Sequence, residues 1–283
     1  MENEQSGSFE SLNPDEPIFK EIKKQEWWKW FCEDPELYID IRKANYINIY
    51  YYGGSLVKIE KYSKIKNKFI TKIHKKYLGK NKKGYISLNL KELDKEGIEE
   101  IKKNIRNVYL KESKKEKKLK EKKIQGEMIC KNSKYIDSEF EYKFEYKNDK
   151  FLRIDFIELS NGILSFVELK QIEDSRLRND EKQNLELPEI IYQMDKYKNF
   201  ISKYENEIID YYKKIIQLKN DLGILKQKHS TDFKLNKTPK LIIANTYKEL
   251  SKGKIERIRD IEDLLKENKI DYKIIPWHPD EKR

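Results

Sequence analysis

The chain has 283 residues, with 61 Lys and Arg against 50 Asp and Glu, a formal net charge of +11, and two widely separated cysteines, Cys32 and Cys130. That length suits one large domain or two small ones. No run of 18 or more apolar residues occurs, which excludes an apolar membrane-spanning helix, and the polar start does not read as a signal peptide. Two isolated cysteines make neither a disulfide framework nor a metal knuckle of their own, and they point to a reducing cytoplasm.

Residues 1–20 carry Gly, Ser, Pro and acids with little to bury, and read as a disordered tail. Trp27, Trp28, Trp30 and Phe31 mark a short amphipathic helix over 21–31. Residues 37–42 and 46–52 are rich in β-formers around Lys43-Ala44-Asn45. Gly53-Gly54 turns the chain into 55–62, and 68–78 continues the pattern, so an antiparallel meander of about four strands is expected. A helix over 90–110 closes this N-terminal module, 21–110. Its tyrosine row (Tyr46, Tyr50, Tyr51, Tyr52) offers either core packing, the favoured use, or a stack for bases.

Charge is clustered in this half. Residues 58–83 hold eleven lysines against the single acid Glu60, and 111–123 hold eight lysines against three glutamates. Such lysine clusters suit phosphate contact more than base reading, which is mostly arginine work. The competing reading is a solvated face in a chain crowded with Lys, Ile, Asn and Tyr.

From 111 onward the pattern is a helix over 111–130, then strands over 139–146, 151–159 and 163–170. A long helical stretch follows over 187–222, with an apolar stripe at Ile190, Met194, Tyr197, Ile201, Tyr204 and Ile208. A buried strand over 240–244, a helix over 254–268 and a last strand over 272–275 complete the chain. This order predicts an α/β (mixed α+β) class, with a mixed sheet flanked by helices in a second domain, 111–283.

Two of these strands carry charge where a buried strand would not want it. The turn signal Ser160-Asn161-Gly162 joins 151–159 to 163–169. Asp155 lies in the first run, while Glu168 and Lys170 close the second. Residues two apart on a strand share a face, and a hairpin can set Asp155 beside them. Such a group is costly to bury unless it holds a cation.

Asp155 and, thirteen positions on, Glu168-x-Lys170 in the next strand resemble the PD-(D/E)xK nuclease superfamily, whose restriction-endonuclease-like fold has an αβββαβ core. Ile154 stands where the family's proline usually precedes the acid. Gln193-x-x-x-Tyr197 on the following helix is similar to the QxxxY element of RecB-like members, and residues four apart share a helix face. The resemblance implies a Mg²⁺- or Mn²⁺-dependent nuclease hydrolysing phosphodiester bonds, DNA ahead of RNA. Asp155, Glu168 and the Leu169 carbonyl would be metal ligands, Lys170 would handle the attacking water, and Gln193 and Tyr197 would be positioning groups. An acid from the first helix, Glu127 with Glu121 behind it, would join the metal. Arg176 and Arg178 offer a phosphate contact or a solvated loop. The partners implied are nucleic acid and, through the N-terminal module, either nucleic acid or a protein. A restriction or antiviral role follows by analogy. The alternative is a non-catalytic nucleic-acid-binding or scaffold protein with the same fold.

Overall fold

A computed structural model of the chain describes residues 9–78, 84–87, 89–90, 94–112, 117–146, 149–178 and 186–277. The chain divides into two compact units, 1–137 with 207–232, and 138–206 with 233–283. The class is mixed α/β, with a five-stranded antiparallel sheet and a six-stranded mixed sheet. No described helix is long and apolar enough to cross a membrane.

The first unit opens with a single 3-10 turn and the helix α1 (Pro17–Ile22), followed by α2 (Glu26–Glu33). Phe9, Leu12, Ile18, Phe19 and Ile22 are buried. That corrects the expectation of a disordered tail for 9–20, while 1–8 lie outside the described residues. The meander follows as β1 (Leu37–Arg42), β2 (Tyr46–Tyr51), β3 (Gly54–Ser63), β4 (Lys68–His74) and β5 (Tyr85–Ser87), in that spatial order. The expected strand over 68–78 ends at His74, and Lys75–Leu78 is a 3-10 turn. Tyr50 and Tyr51 are buried, and Tyr38 stacks on Tyr50 at 4.9 Å. Tyr50 and Tyr51 therefore serve packing.

Two helices complete the run, α3 (Lys95–Glu112) and α4 (Lys117–Lys131). The β2–β3 turn uses Tyr52 at φ 54° and Gly53 at φ 82°. A Cβ on Gly53 would lie 2.5 Å from the Lys122 carbonyl oxygen, and one on Gly126 would lie 2.8 Å from the Gly53 nitrogen. Glycine at both positions lets α4 meet the turn backbone to backbone.

The second sheet runs β6 (Tyr135–Tyr146), β7 (Asp149–Ser160), β8 (Ile163–Gln171), β10 (Lys240–Asn245) and β11 (Asp271–Pro276), with the short β9 (Lys234–Leu235) on β8. β7 and β8 are antiparallel, whereas β8, β10 and β11 are parallel. Parallel neighbours need crossovers, and α7 (Lys252–Glu267) supplies the one between β10 and β11. The single helix expected over 187–222 is two, α5 (Glu189–Lys203) and α6 (Glu205–Asp221). The break is at Tyr204 (φ −117°, ψ 30°), whose ring packs on Phe200, Tyr142 and Phe144 at 5.3, 5.2 and 6.1 Å.

From residue 207 on, α6 counts with the first unit, as does α4, so the compact units do not part at residue 111. A buried polar network explains where α6 belongs. Lys219 Nζ donates to Asp40 Oδ1 (2.9 Å), the Ile39 carbonyl (2.9 Å) and the Ile136 carbonyl (2.5 Å). Arg42 reaches Asp40 Oδ2 (3.1 Å), Asp137 Oδ1 (3.5 Å) and the Tyr50 hydroxyl (2.7 Å), and the Tyr212 hydroxyl donates to Asp137 Oδ2 (3.1 Å). Buried charges persist only when paired in this way.

Candidate active site

The charged hairpin is built locally. Asn161 at φ 51° and Gly162 at φ 70° form the two-residue turn that an Asn-Gly pair favours. Register runs from Ser160↔Ile163 to Phe156↔Val167, which stops one residue short of Asp155 and Glu168. Because β8 lies between β7 and β10, every residue from 164 to 171 is buried. Leu164, Phe166, Glu168 and Lys170 share one face of the strand, and α5 covers it. Phe200 meets Phe166 at 6.2 Å, while Tyr197 and Gln193, one and two turns back, meet Glu168. The helix thus runs against the strand, and its 193/197/200 face is the lid over Glu168.

Glu168 is 3 % exposed and Lys170 is 1 % exposed. Lys170 Nζ is ion-paired with Glu168 Oε1 and lies 3.3 Å from the Leu169 carbonyl oxygen. Gln193 Nε2 donates to Glu168 Oε1 at 2.7 Å and to the Tyr197 hydroxyl oxygen at 2.6 Å. The Tyr197 hydroxyl is 2.9 Å from Glu168 Oε2 and 2.5 Å from the Arg153 carbonyl oxygen, so its single proton serves one of the two at a time. Burial, then the charges of Glu168 and Asp155, push the Tyr197 phenol well above its usual value. It is therefore a permanent donor, not an acid. Asp155 is half-buried, and its Oδ2 accepts from the Leu169 amide at 2.9 Å. Gln193 Oε1 is buried and has no hydrogen-bond partner among the described residues.

Asp155, Glu168, Leu169, Lys170, Gln193 and Tyr197 all belong to the second unit, and the structure brings the side chains around Glu168 together. Glu127 is engaged otherwise. It lies in the first unit, 3.7 Å from Lys123 and 4.0 Å from Lys131 on its own helix, which also carries Glu121. Among the described residues no three His, Cys, Asp or Glu side chains form a group that could hold a metal ion. Arg176 is committed to Asp174, with Nε at 3.0 Å and Nη2 at 2.6 Å, while Arg178 is exposed. Burial opposes ionisation of Asp174, but the Arg176 contacts and the Lys170 ammonium outweigh it and hold this carboxyl below its usual range. Asp174 is a neighbour of the site that no sequence pattern marks. Cys32 and Cys130 are free, and burial pushes their thiols up to about 12 and about 11, so neither is a ready nucleophile.

No family model matches the chain, and neither does any curated protein or solved structure.

Proposed function

We propose that this protein is a metal-dependent phosphodiesterase acting on nucleic acid, with DNA the first substrate to try. Residues 111–283, with the six-stranded mixed sheet, would be a version of the PD-(D/E)xK fold. One observation carries the reading. A carboxylate and an ammonium on adjacent face positions of a central strand meet a glutamine and a tyrosine from the next helix, with a second carboxylate bonded to the intervening amide. Burying so many polar groups for stability alone is poor economy, since apolar packing does as well or better.

The donor set fits a hard divalent cation. Asp155, Glu168 and the Leu169 carbonyl present oxygen, and Gln193 Oε1 is a buried acceptor without a donor among the described residues. Two carboxylates suffice, because Mg²⁺ commonly takes one or two from the protein and the rest from water and substrate phosphate. Mg²⁺ or Mn²⁺ would supply Lewis acidity toward a phosphoryl oxygen and acidify the attacking water. Lys170 orients that water and offsets negative charge as it gathers on the phosphate. Gln193 and Tyr197 hold the Glu168 carboxylate in one orientation, which is a positioning role. A second reading, a non-catalytic scaffold, draws on the direct Glu168–Lys170 pair, in which the ammonium compensates the carboxylate without a metal ion.

The test incubates purified protein with plasmid, linear DNA and RNA, with and without Mg²⁺ or Mn²⁺, beside a metal-titrated thermal melt. Metal-dependent cleavage lost in Asp155→Ala, Glu168→Ala and Lys170→Ala is the expected result, together with a melt that rises with metal only when Asp155 and Glu168 are both present. Variants that cut at the wild-type rate would refute the site. No cleavage and no metal-dependent melt would favour the scaffold.

A further inference from the structure

The β3–β4 hairpin ends in a tip whose chemistry the cleavage site does not use. Tyr62 pairs with Phe69 and Ser63 with Lys68, and residues 64–67 close the loop with Asn67 at φ 45°. The tip is braced. Lys66 N–H donates to Ser63 Oγ at 3.3 Å, and the Tyr62 hydroxyl donates to Asn67 Oδ1. At the base, Phe69 packs on Trp27 at 5.5 Å and on Tyr62 at 5.0 Å. With Tyr62 and Phe69 turned toward Trp27, Lys61 and Lys68 leave from the opposite face.

Two properties stand out on this braced tip. Ile65 is 99 % exposed, the most exposed large hydrophobic side chain among the described residues. Around it Lys61, Lys64, Lys66 and Lys68 are all exposed, and none has an acidic partner among the described residues. Glu60, the one acid of the run, is occupied by Lys58 (3.6 Å) and Lys72 (3.0 Å). An apolar side chain held in water on a stiff turn, ringed by unpaired ammonium groups, matches a surface that offers phosphate and a greasy slot together.

We infer that the β3–β4 hairpin is a nucleic-acid contact, with Lys61, Lys64, Lys66 and Lys68 on backbone phosphates and Ile65 wedged at a base step in the minor groove. Lysines used as point charges fix position without reading sequence, and apolar wedges unstack steps in grooves of this kind. One isoleucine is a weak anchor for a bilayer, whereas polyphosphate contact is multiplied by every lysine. The inference deepens the reading above by naming the surface that holds the polymer.

The test is run in EDTA, so that it does not depend on cleavage. Fluorescence anisotropy with unrelated 20-base-pair duplexes, one carrying 2-aminopurine, is measured across salt for the full chain. Replacing the four lysines by glutamine should weaken all duplexes alike and reduce the log–log salt slope by about 3.6, at roughly 0.9 per phosphate contact. Ile65→Ser should lose about tenfold in affinity, leave the slope unchanged and abolish the rise in 2-aminopurine fluorescence. An unchanged slope in the lysine variant overturns the inference. So does duplex binding indifferent to Ile65, or Ile65-dependent binding to phosphatidylserine vesicles without duplex binding. Because no metal is present, failure of the nuclease reading leaves these outcomes legible.

Discussion

Removing Lys170 while keeping its bulk, as in Lys170→Met, isolates the buried charge at the centre of the second sheet. Lys170 is 1 % exposed, and its ammonium is the only cation bonded to Glu168 among the described contacts. Without it, Glu168 is a buried anion held by one amide N–H and one hydroxyl. Breaking a buried pair from one side costs about 3–5 kcal/mol, because the remaining charge is desolvated and uncompensated. Glu168→Gln should also destabilise, since it removes the carboxylate ion-paired with the buried ammonium. The double variant carries no charge there, so its cost should fall below the sum of the singles by about 2 kcal/mol or more. Urea denaturation in EDTA at pH 7, followed by amide exchange of the β8 peptide, reads both the global and the local change. Single variants that each cost under about 1 kcal/mol and simply add would refute the picture of a desolvated, mutually dependent pair.

Asp137 gives a pH-dependent prediction. Burial, then the neighbouring Asp40 charge, push its carboxyl up to about 7 against the opposing pull of Arg42 and Lys219. The folded value lies above the unfolded one, so the stability it contributes is complete below about pH 4 and is lost as pH rises through about 7. Asp137→Asn keeps a neutral donor, so denaturation midpoints between pH 4 and 8 should fall less steeply than in the wild type; parallel profiles would sink the idea. Tyr197→Phe should cost about 1–3 kcal/mol by leaving Glu168 Oε2 or the Arg153 carbonyl short of a donor, and should slow cleavage less than loss of Asp155. Unchanged stability in a urea melt would place the hydroxyl outside the network.

Much of the candidate site was legible because its geometry is local. Alternation along a strand puts Glu168 and Lys170 on one face whatever surrounds them, the Asn161-Gly162 turn brings β7 back along β8, and four residues of helix align Gln193 with Tyr197. The tail was misread for the converse reason. Phe9, Leu12, Ile18 and Phe19 are sparse among polar residues, and nothing near them in sequence shows what they bury against. The helix expected over 187–222 has no Gly or Pro to stop it at Tyr204; the break coincides with an aromatic cluster drawn from β6 and α5.

The periodicities of the chain by themselves determined the meander, the charged hairpin and the helix that follows it, since each depends on neighbours within a few residues. Tertiary structure alone decided the rest. Packing of α5 against β8 closes Gln193 and Tyr197 onto Glu168 across 25 and 29 residues. It assigns α6 to the first unit through Lys219, which reaches Asp40 across 179 residues. A buried charge takes whichever partner the packed backbone brings within reach, and the sequence carries no local mark of that partner.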